Sequence, residues 1–281
     1  MKDHWDARLR RASELTSMYP FAAGALNFYS KIAAFQRHLF DEYEQASEKS
    51  PNSSGAGTLR GELDYFTLLP KFPAFLRVIG QAAPRPLAQA AGRLEEKDSA
   101  EWRRLLEGFW SCESRPGASE ANADENQLTN DAVAEQCLAW LFLQPYAEHL
   151  ARRGTPAPAG GTPSNCPLCG ANPIVGVLRP EGDGARKSLV CMLCAHEWAF
   201  RRLYCPACGE EREPQLAFYS AAELPHVRVD VCDTCHIYLK SVDLSKTGLA
   251  VPIVDELATL PLDLWARERG YAKLQVNMLG I

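Results

Sequence analysis

Apolar residues recur along the first 150 positions at the three-and-four spacing of helices. Phe21, Ala25, Phe28, Ile32, Phe35, Leu39 and Tyr43 fall on one stripe, which predicts a long amphipathic helix. Residues 1–20 predict a shorter one that stops at Tyr19-Pro20, and Ser50 to Gly57 is a polar break. Leu63 to Ile79 is apolar again, but Pro70 and Pro73 should cut it into short helical pieces. Leu87 to Trp110 predicts two helices, the second opening after Asp98-Ser99, whose oxygens suit an N-cap. A polar loop at 112–127 follows. Val133, Cys137, Leu138, Leu141, Phe142 and Tyr146 then mark a strong helix over about 131–153 that Pro145 should bend. The run 154–165, GTPAPAGGTPSN, has the composition of a linker.

Past that linker the period changes. Ile174 to Leu178 and Leu189-Val190 flank a turn-like Pro180-Glu-Gly-Asp-Gly184, and Leu216 to Tyr219 precedes an alternating Val227-Arg-Val-Asp-Val231. Each pair reads as two strands about a turn. Helical spacing returns in Asp255 to Glu268, where Leu257, Leu260, Leu264 and Trp265 are apolar and Pro261 marks an interruption or a restart. Asp255, Glu256 and Asp263 are expected on its solvated face.

The strand pairs are framed by cysteines. Eight of ten lie between Cys166 and Cys235 as four C-x-x-C pairs: Cys166/Cys169, Cys191/Cys194, Cys205/Cys208 and Cys232/Cys235. Two residues between cysteines let one tight turn aim both sulfurs at a point, and a tetrahedral metal needs two such knuckles. The pattern Cys-Pro-x-Cys-Gly at 166 returns at 205, and the pair at 191 returns at 232. The repeat predicts two ribbon or rubredoxin-like modules, each closing one four-cysteine site. Pairing Cys191/Cys194 with Cys205/Cys208 is the alternative, since only ten residues separate them. Soft thiolates suit iron and zinc alike, and the sites are expected either as structural staples or as redox centres. Cys232-Asp-Thr-Cys235-His236 also matches the haem-attachment pattern, but the repeat already uses both cysteines. His196 and His236 follow their knuckles either as hydrogen-bond donors to a cysteine sulfur or simply as half-exposed turn residues. Cys112 and Cys137 stand apart, Cys137 as core packing.

Composition narrows the choice of partner. The 281 residues suffice for two domains, with 46% hydrophobic, 23% charged and a net charge of −5. The N-terminus has no apolar signal segment and no run is long enough to span a bilayer, so a cytoplasmic protein without stable membrane insertion is expected. There, ten cysteines favour metal over disulfides. Residues 166–240 carry −1 before thiolates are counted, which argues against nucleic acid. The sequence shows no phosphate loop, nucleotide fingerprint or HExxH, and the protein is not expected to be an enzyme.

Several stretches together resemble the formate dehydrogenase accessory protein family, FdhE. They are Cys166-Pro-Leu-Cys-Gly, Leu189-Val-Cys191-x-x-Cys194, and Glu197-Trp198-x-Phe200-x-Arg202-x-x-Cys205-Pro-x-Cys208-Gly209. Val231-Cys232-Asp-x-Cys235-x-x-Tyr238-Leu-Lys240 and the tail from Asp255 to Tyr271 complete the set. The likeness is specific over about 165–275 and looser before it. His196 and Ala199 depart from it, and so does a shorter loop at 112–127; no ligand position is lost. The resemblance implies an N-terminal all-α domain (1–155) followed by two tandem rubredoxin-like or zinc-ribbon-like modules of four cysteines each. The first would span 156–200, and the second, with the C-terminal helix, 201–281. It further implies iron at both sites, with zinc as the alternative, on the eight cysteines named above. Its partner would be the catalytic, molybdenum-containing subunit of respiratory formate dehydrogenase, held in the cytoplasm before export. A homodimer is among the expected states. The rival readings are a rubredoxin-like electron carrier and a zinc-ribbon module that binds nucleic acid.

Overall fold

The computed structural model describes residues 3–48, 59, 61, 63–111, 130–154 and 163–281. The polar break at 50–57, Cys112 with the loop 112–127, and linker residues 155–162 lie outside the described residues. Helices α1 (Asp3–Met18) and α2 (Ala23–Glu48) are joined by a 3-10 turn at Pro20–Ala22. The buried stripe of α2 runs through Leu26, Tyr29, Ile32, Gln36, Leu39 and Tyr43. Phe21, expected to begin that stripe, sits in the turn and is 56% exposed. Pro70 and Pro73 divide the next segment as expected, into α3 (Tyr65–Leu68), a 3-10 turn and α4 (Phe72–Ala82). α5 (Arg85–Glu95) and α6 (Ser99–Ser111) follow. Asp98 caps α6, its Oδ1 accepting from the N–H groups of Ala100 and Glu101 at 2.9 Å.

Helix α7 (Asp131–Ala151) is buried on every side from Cys137 to His149, the signature of a central helix. Pro145 has no N–H to offer the carbonyl of Leu141. Gln36 Nε2 takes that place at 2.7 Å. Near the end of α7, Glu148 is buried against Arg8 (2.8 Å) and His4 (3.1 Å).

The C-terminal part builds one seven-stranded sheet. Each repeat contributes three antiparallel strands, one more than the sequence pattern indicates: β1 (Pro173–Glu181), β2 (Gly184–Cys191) and β3 (Glu197–Phe200), then β4 (Leu216–Ser220), β5 (Val227–Cys232) and β6 (Ile237–Asp243). The order is β3-β2-β1-β6-β5-β4, with β7 (Ala272–Lys273) added parallel beside β6. The two triplets therefore repeat head to tail, joined by a parallel pairing that sets Gly176 opposite Ser241. A Cβ on Gly176 would lie 2.2 Å from Ser241 Oγ and 3.4 Å from Lys187 Cε. The missing side chain lets Lys187 cross the joint from β2 and meet Asp230 of β5 at 2.7 Å.

Helices α8 (Pro252–Ala258) and α9 (Leu260–Glu268) are separated at Thr259, so Pro261 marks a restart. Leu264, expected to be apolar and inward, is 52% exposed. The carboxylates expected on a solvated face are not there: Asp255, Glu256 and Asp263 are all buried. Arg11 Nη2 donates to Asp255 at 2.6 Å, and His226 Nε2 lies 2.9 Å from the same carboxylate. Lys240 and Lys273 face Glu256 and Asp263, with Tyr238 donating to Asp263 at 2.8 Å. Helical spacing assigned these acids to water; helix α1, through Arg11, and the sheet, through Lys240 and Lys273, supply the cations instead. One continuous apolar core links the helical part to the sheet. Among the described residues, no helix is long and apolar enough to cross a membrane.

Candidate metal centres

Each knuckle is a backbone device. In three of them the N–H of the residue after the second cysteine turns back to the carbonyl of the first: Gly170 to Cys166 at 2.8 Å, Gly209 to Cys205 at 3.0 Å and His236 to Cys232 at 2.8 Å. In the fourth, Cys191 N–H donates to the His196 carbonyl at 2.9 Å. The residue after the second cysteine takes a left-handed conformation in all four, at φ 70° for Gly170, 53° for Ala195, 77° for Gly209 and 55° for His236. Glycine adopts this region without steric cost, and other residues are strained there. Ala195 and His236 thus follow the same turn as the glycines, which explains why the second knuckle of each repeat works without the Cys-Gly signature.

The four knuckles meet in two groups, Cys166/Cys169/Cys191/Cys194 and Cys205/Cys208/Cys232/Cys235, and within each group all sulfurs lie within 4.8 Å of one another. The cross-paired alternative does not occur. In the first group Cys166 and Cys194 are 3.6 Å apart and Cys169 and Cys191 are 3.3 Å apart. The corresponding separations in the second are 3.7 Å for both Cys205–Cys235 and Cys208–Cys232. A tetrahedral ion at a metal–sulfur distance of about 2.3 Å needs sulfurs about 3.8 Å apart, whereas a disulfide brings them to about 2 Å. Both groups fit an ion and neither is bonded. Either could hold a tetrahedral metal of soft preference, and the donor set does not choose between iron and zinc.

As thiols, four groups this close compete for protons. Burial pushes Cys205 up to about 11 and Cys191 well above its ordinary value, while hydrogen bonds from the neighbouring thiols hold Cys169 far below. Amide N–H groups of Leu193 and Cys194 point at Cys191 Sγ from 3.3 and 3.5 Å. Such donors favour the thiolate and tune a bound ion.

The two groups differ in setting. All four cysteines of the first are buried, and its knuckle is clamped by the helical part: Trp140 Nε1 and Gln144 Nε2 both donate to the Met192 carbonyl, at 2.9 and 3.1 Å. In the second, Cys205 and Cys232 are buried, Cys235 is half-buried and Cys208 is exposed. His196 is half-buried and stacked on Trp198. His236 is exposed, its ring 5.9 Å from that of Tyr271. Cys137 is buried in the core, where burial raises its thiol to about 12. Sequence reasoning missed Lys187 and Asp230: each shares its strand with an arginine, Arg186 in β2 and Arg228 in β5, so nothing local marks the two as a pair.

Comparison with known proteins places these features in a family. A family model described as "FdhE, central domain" matches residues 165–202, and one described as "FdhE, C-terminal domain" matches 203–279. The chain is 26% identical to "Protein FdhE homolog" of Aquifex aeolicus, over 97% of this chain and 94% of the relative. It is 33% identical to "Protein FdhE homolog" of Shewanella oneidensis over 41% of this chain, a match spanning 37% of that relative. Among solved structures, the crystal structure of the FdhE protein from Pseudomonas aeruginosa shares the fold, with a TM-score of 0.64, 23% identity, and coverage of 99% of this chain and 96% of that one.

Proposed function

Because the chain belongs to the FdhE family, we propose that it is an accessory factor for a molybdenum-containing respiratory formate dehydrogenase. In this reading it binds the catalytic subunit in the cytoplasm before export and is required for that subunit's activity, without itself catalysing a reaction. One observation supports this most: all eight paired cysteines of the motif converge into two four-sulfur groups, one within each of the two adjoining segments that the family models match.

Cys166, Cys169, Cys191 and Cys194 would hold one ion and Cys205, Cys208, Cys232 and Cys235 the other, with iron as the first expectation and zinc as the alternative. Thiolate-bound iron would supply one-electron chemistry with little rearrangement. The chain's own contribution is rigid: knuckle turns fix the sulfurs, amide N–H groups face Cys191 Sγ, and the helical part shields the first site. A Cys→Ser change at any of the eight should cost the module several kcal/mol, since closed sites of this kind contribute folding energy directly.

The test is a deletion strain assayed for formate-dependent dye reduction and complemented with the wild-type or a Cys→Ser chain. Activity should be lost and then restored only by the wild type; undiminished activity in the deletion strain would refute the reading. The exposure of Cys208 favours one second reading, electron transfer through the second site. It requires a red protein whose absorbance bleaches reversibly on reduction.

A further inference from the structure

Strand β4 ends the sheet, and among the described residues no strand pairs with its outer edge. Edges of this kind are usually blunted by a charge, a proline or a cover. This one reads Leu216-Ala-Phe-Tyr-Ser220, carries none of these, and exposes Phe218 by 62%. In the head-to-tail repeat, β4 occupies the place that β1 holds in the first triplet. The outer edge of β1 accepts a parallel strand, β6. The fold already shows what such an edge takes.

The two faces of this end of the sheet differ. Tyr219, Val229 and Lys240 are aligned by register, and that face is covered by α8 and α9: Tyr219 packs on Trp265 and Lys240 reaches Asp263. Phe218, Asp230 and Leu239 are aligned on the other face. Here a cavity of about 450 Å³ opens between the sheet and the segment Arg202–Pro206 that joins the repeats. Leu216, Phe218, Tyr204 and Leu239 give it apolar walls. Its lining carries three cations, Lys187, Arg202 and Arg228, against two acids, Asp230 and Glu213. Lys187 and Arg228 both hold Asp230 at 2.7 Å, and Arg228 also lies 4.6 Å from the Phe218 ring centroid. Arg202 stands exposed on the cavity lining with no ion pair among the described residues. An open edge supplies main-chain hydrogen bonds and an adjoining pocket supplies side-chain choice, the two requirements of strand addition.

We propose that an extended segment of the protein partner adds to the sheet as a strand parallel to β4, seating a bulky apolar side chain in this cavity and an acidic one against Arg202. This rests on the accessory-factor reading and gives it a docking surface. The segment would lie beside the second cysteine group, whose Cys205 and Cys232 line the same cavity.

The test uses the full metal-loaded chain and purified catalytic subunit of formate dehydrogenase as the probe. Phe218→Asp and Arg202→Glu, both at exposed positions the fold does not need, should each weaken binding about tenfold or more. Phe66→Asp, at a residue 93% exposed on the helical part, should leave it unchanged. In the complex, hydrogen exchange of the β4 amides should slow. Wild-type affinity in both variants, or unaltered β4 exchange in a complex that forms, would overturn the proposal. So would β4 protection that grows with the concentration of this chain alone, which would assign the edge to a second copy. A wild-type chain that fails to bind the subunit removes the accessory reading itself, and the docking surface with it.

Discussion

The joint between the two repeats turns on a single missing side chain, and Gly176→Ala tests it. The new Cβ would sit 2.2 Å from Ser241 Oγ and 3.2 Å from Ser241 Cβ, far inside contact distance, so Ser241 must rotate or β1 and β6 must part. Ser241 Oγ donates to Asp230 Oδ2 at 2.7 Å. Losing a hydrogen bond to a charged group costs about 1.5–3 kcal/mol, and overpacking a tight site costs about 1–3 kcal/mol. Alanine returns about 0.4–1 kcal/mol by restricting the unfolded chain. The expected net loss is about 1.5–5.5 kcal/mol, read as a lower urea midpoint of the metal-loaded protein by far-UV circular dichroism. Ser241→Gly alone should cost about 1–3 kcal/mol, since Asp230 then loses a donor. Combined with Gly176→Ala it removes the clash, so the double variant should be more stable than the sum of the single losses predicts by at least about 1 kcal/mol. A loss under about 0.5 kcal/mol for Gly176→Ala, or strict additivity in the pair, would show that close approach at this joint does not hold the repeats together.

Other consequences follow from the same packing. Brief iodoacetamide treatment followed by peptide mass mapping should label Cys208 and Cys235 well before the four buried cysteines of the first group; equal labelling would contradict the difference in burial. Against the cost of burial, His226 and Arg11 hold the Asp255 carboxyl below its usual range, and Lys240 with Lys273 do the same for Asp263. Carboxylates of this kind stabilise the fold above their unfolded value of about 4 and lose that contribution as pH falls through the lower folded value. The melting temperature should therefore drop below about pH 4, with a shallower acid limb in Asp255→Asn; identical limbs would refute the assignment. Ala195→Gly relieves a left-handed alanine and should stabilise the first module by about 0.5–1 kcal/mol, read from the urea midpoint; destabilisation would count against knuckle strain.

The four C-x-x-C pairs, their division into two sites and the helical first half were legible in the chain because their determinants are local. Two residues between cysteines make a knuckle wherever they occur, and a stripe at three-and-four spacing makes an amphipathic helix whatever it packs against. Spacing and repetition also ranked the pairing of Cys166/Cys169 with Cys191/Cys194 above the crossed one. What lay beyond reach depends on which surfaces meet. Asp255, Glu256 and Asp263 look like a wet helix face until Arg11, Lys240 and Lys273, up to 244 residues away in sequence, arrive to neutralise them. Gly176 looks like any glycine until β6 is laid beside it. The fusion of two repeats into one sheet, the depth of one cysteine group against the exposure of the other, and the open edge of β4 follow only from tertiary packing. Burial and charge pairing are properties of a pair of surfaces, and a sequence specifies each surface without stating its partner.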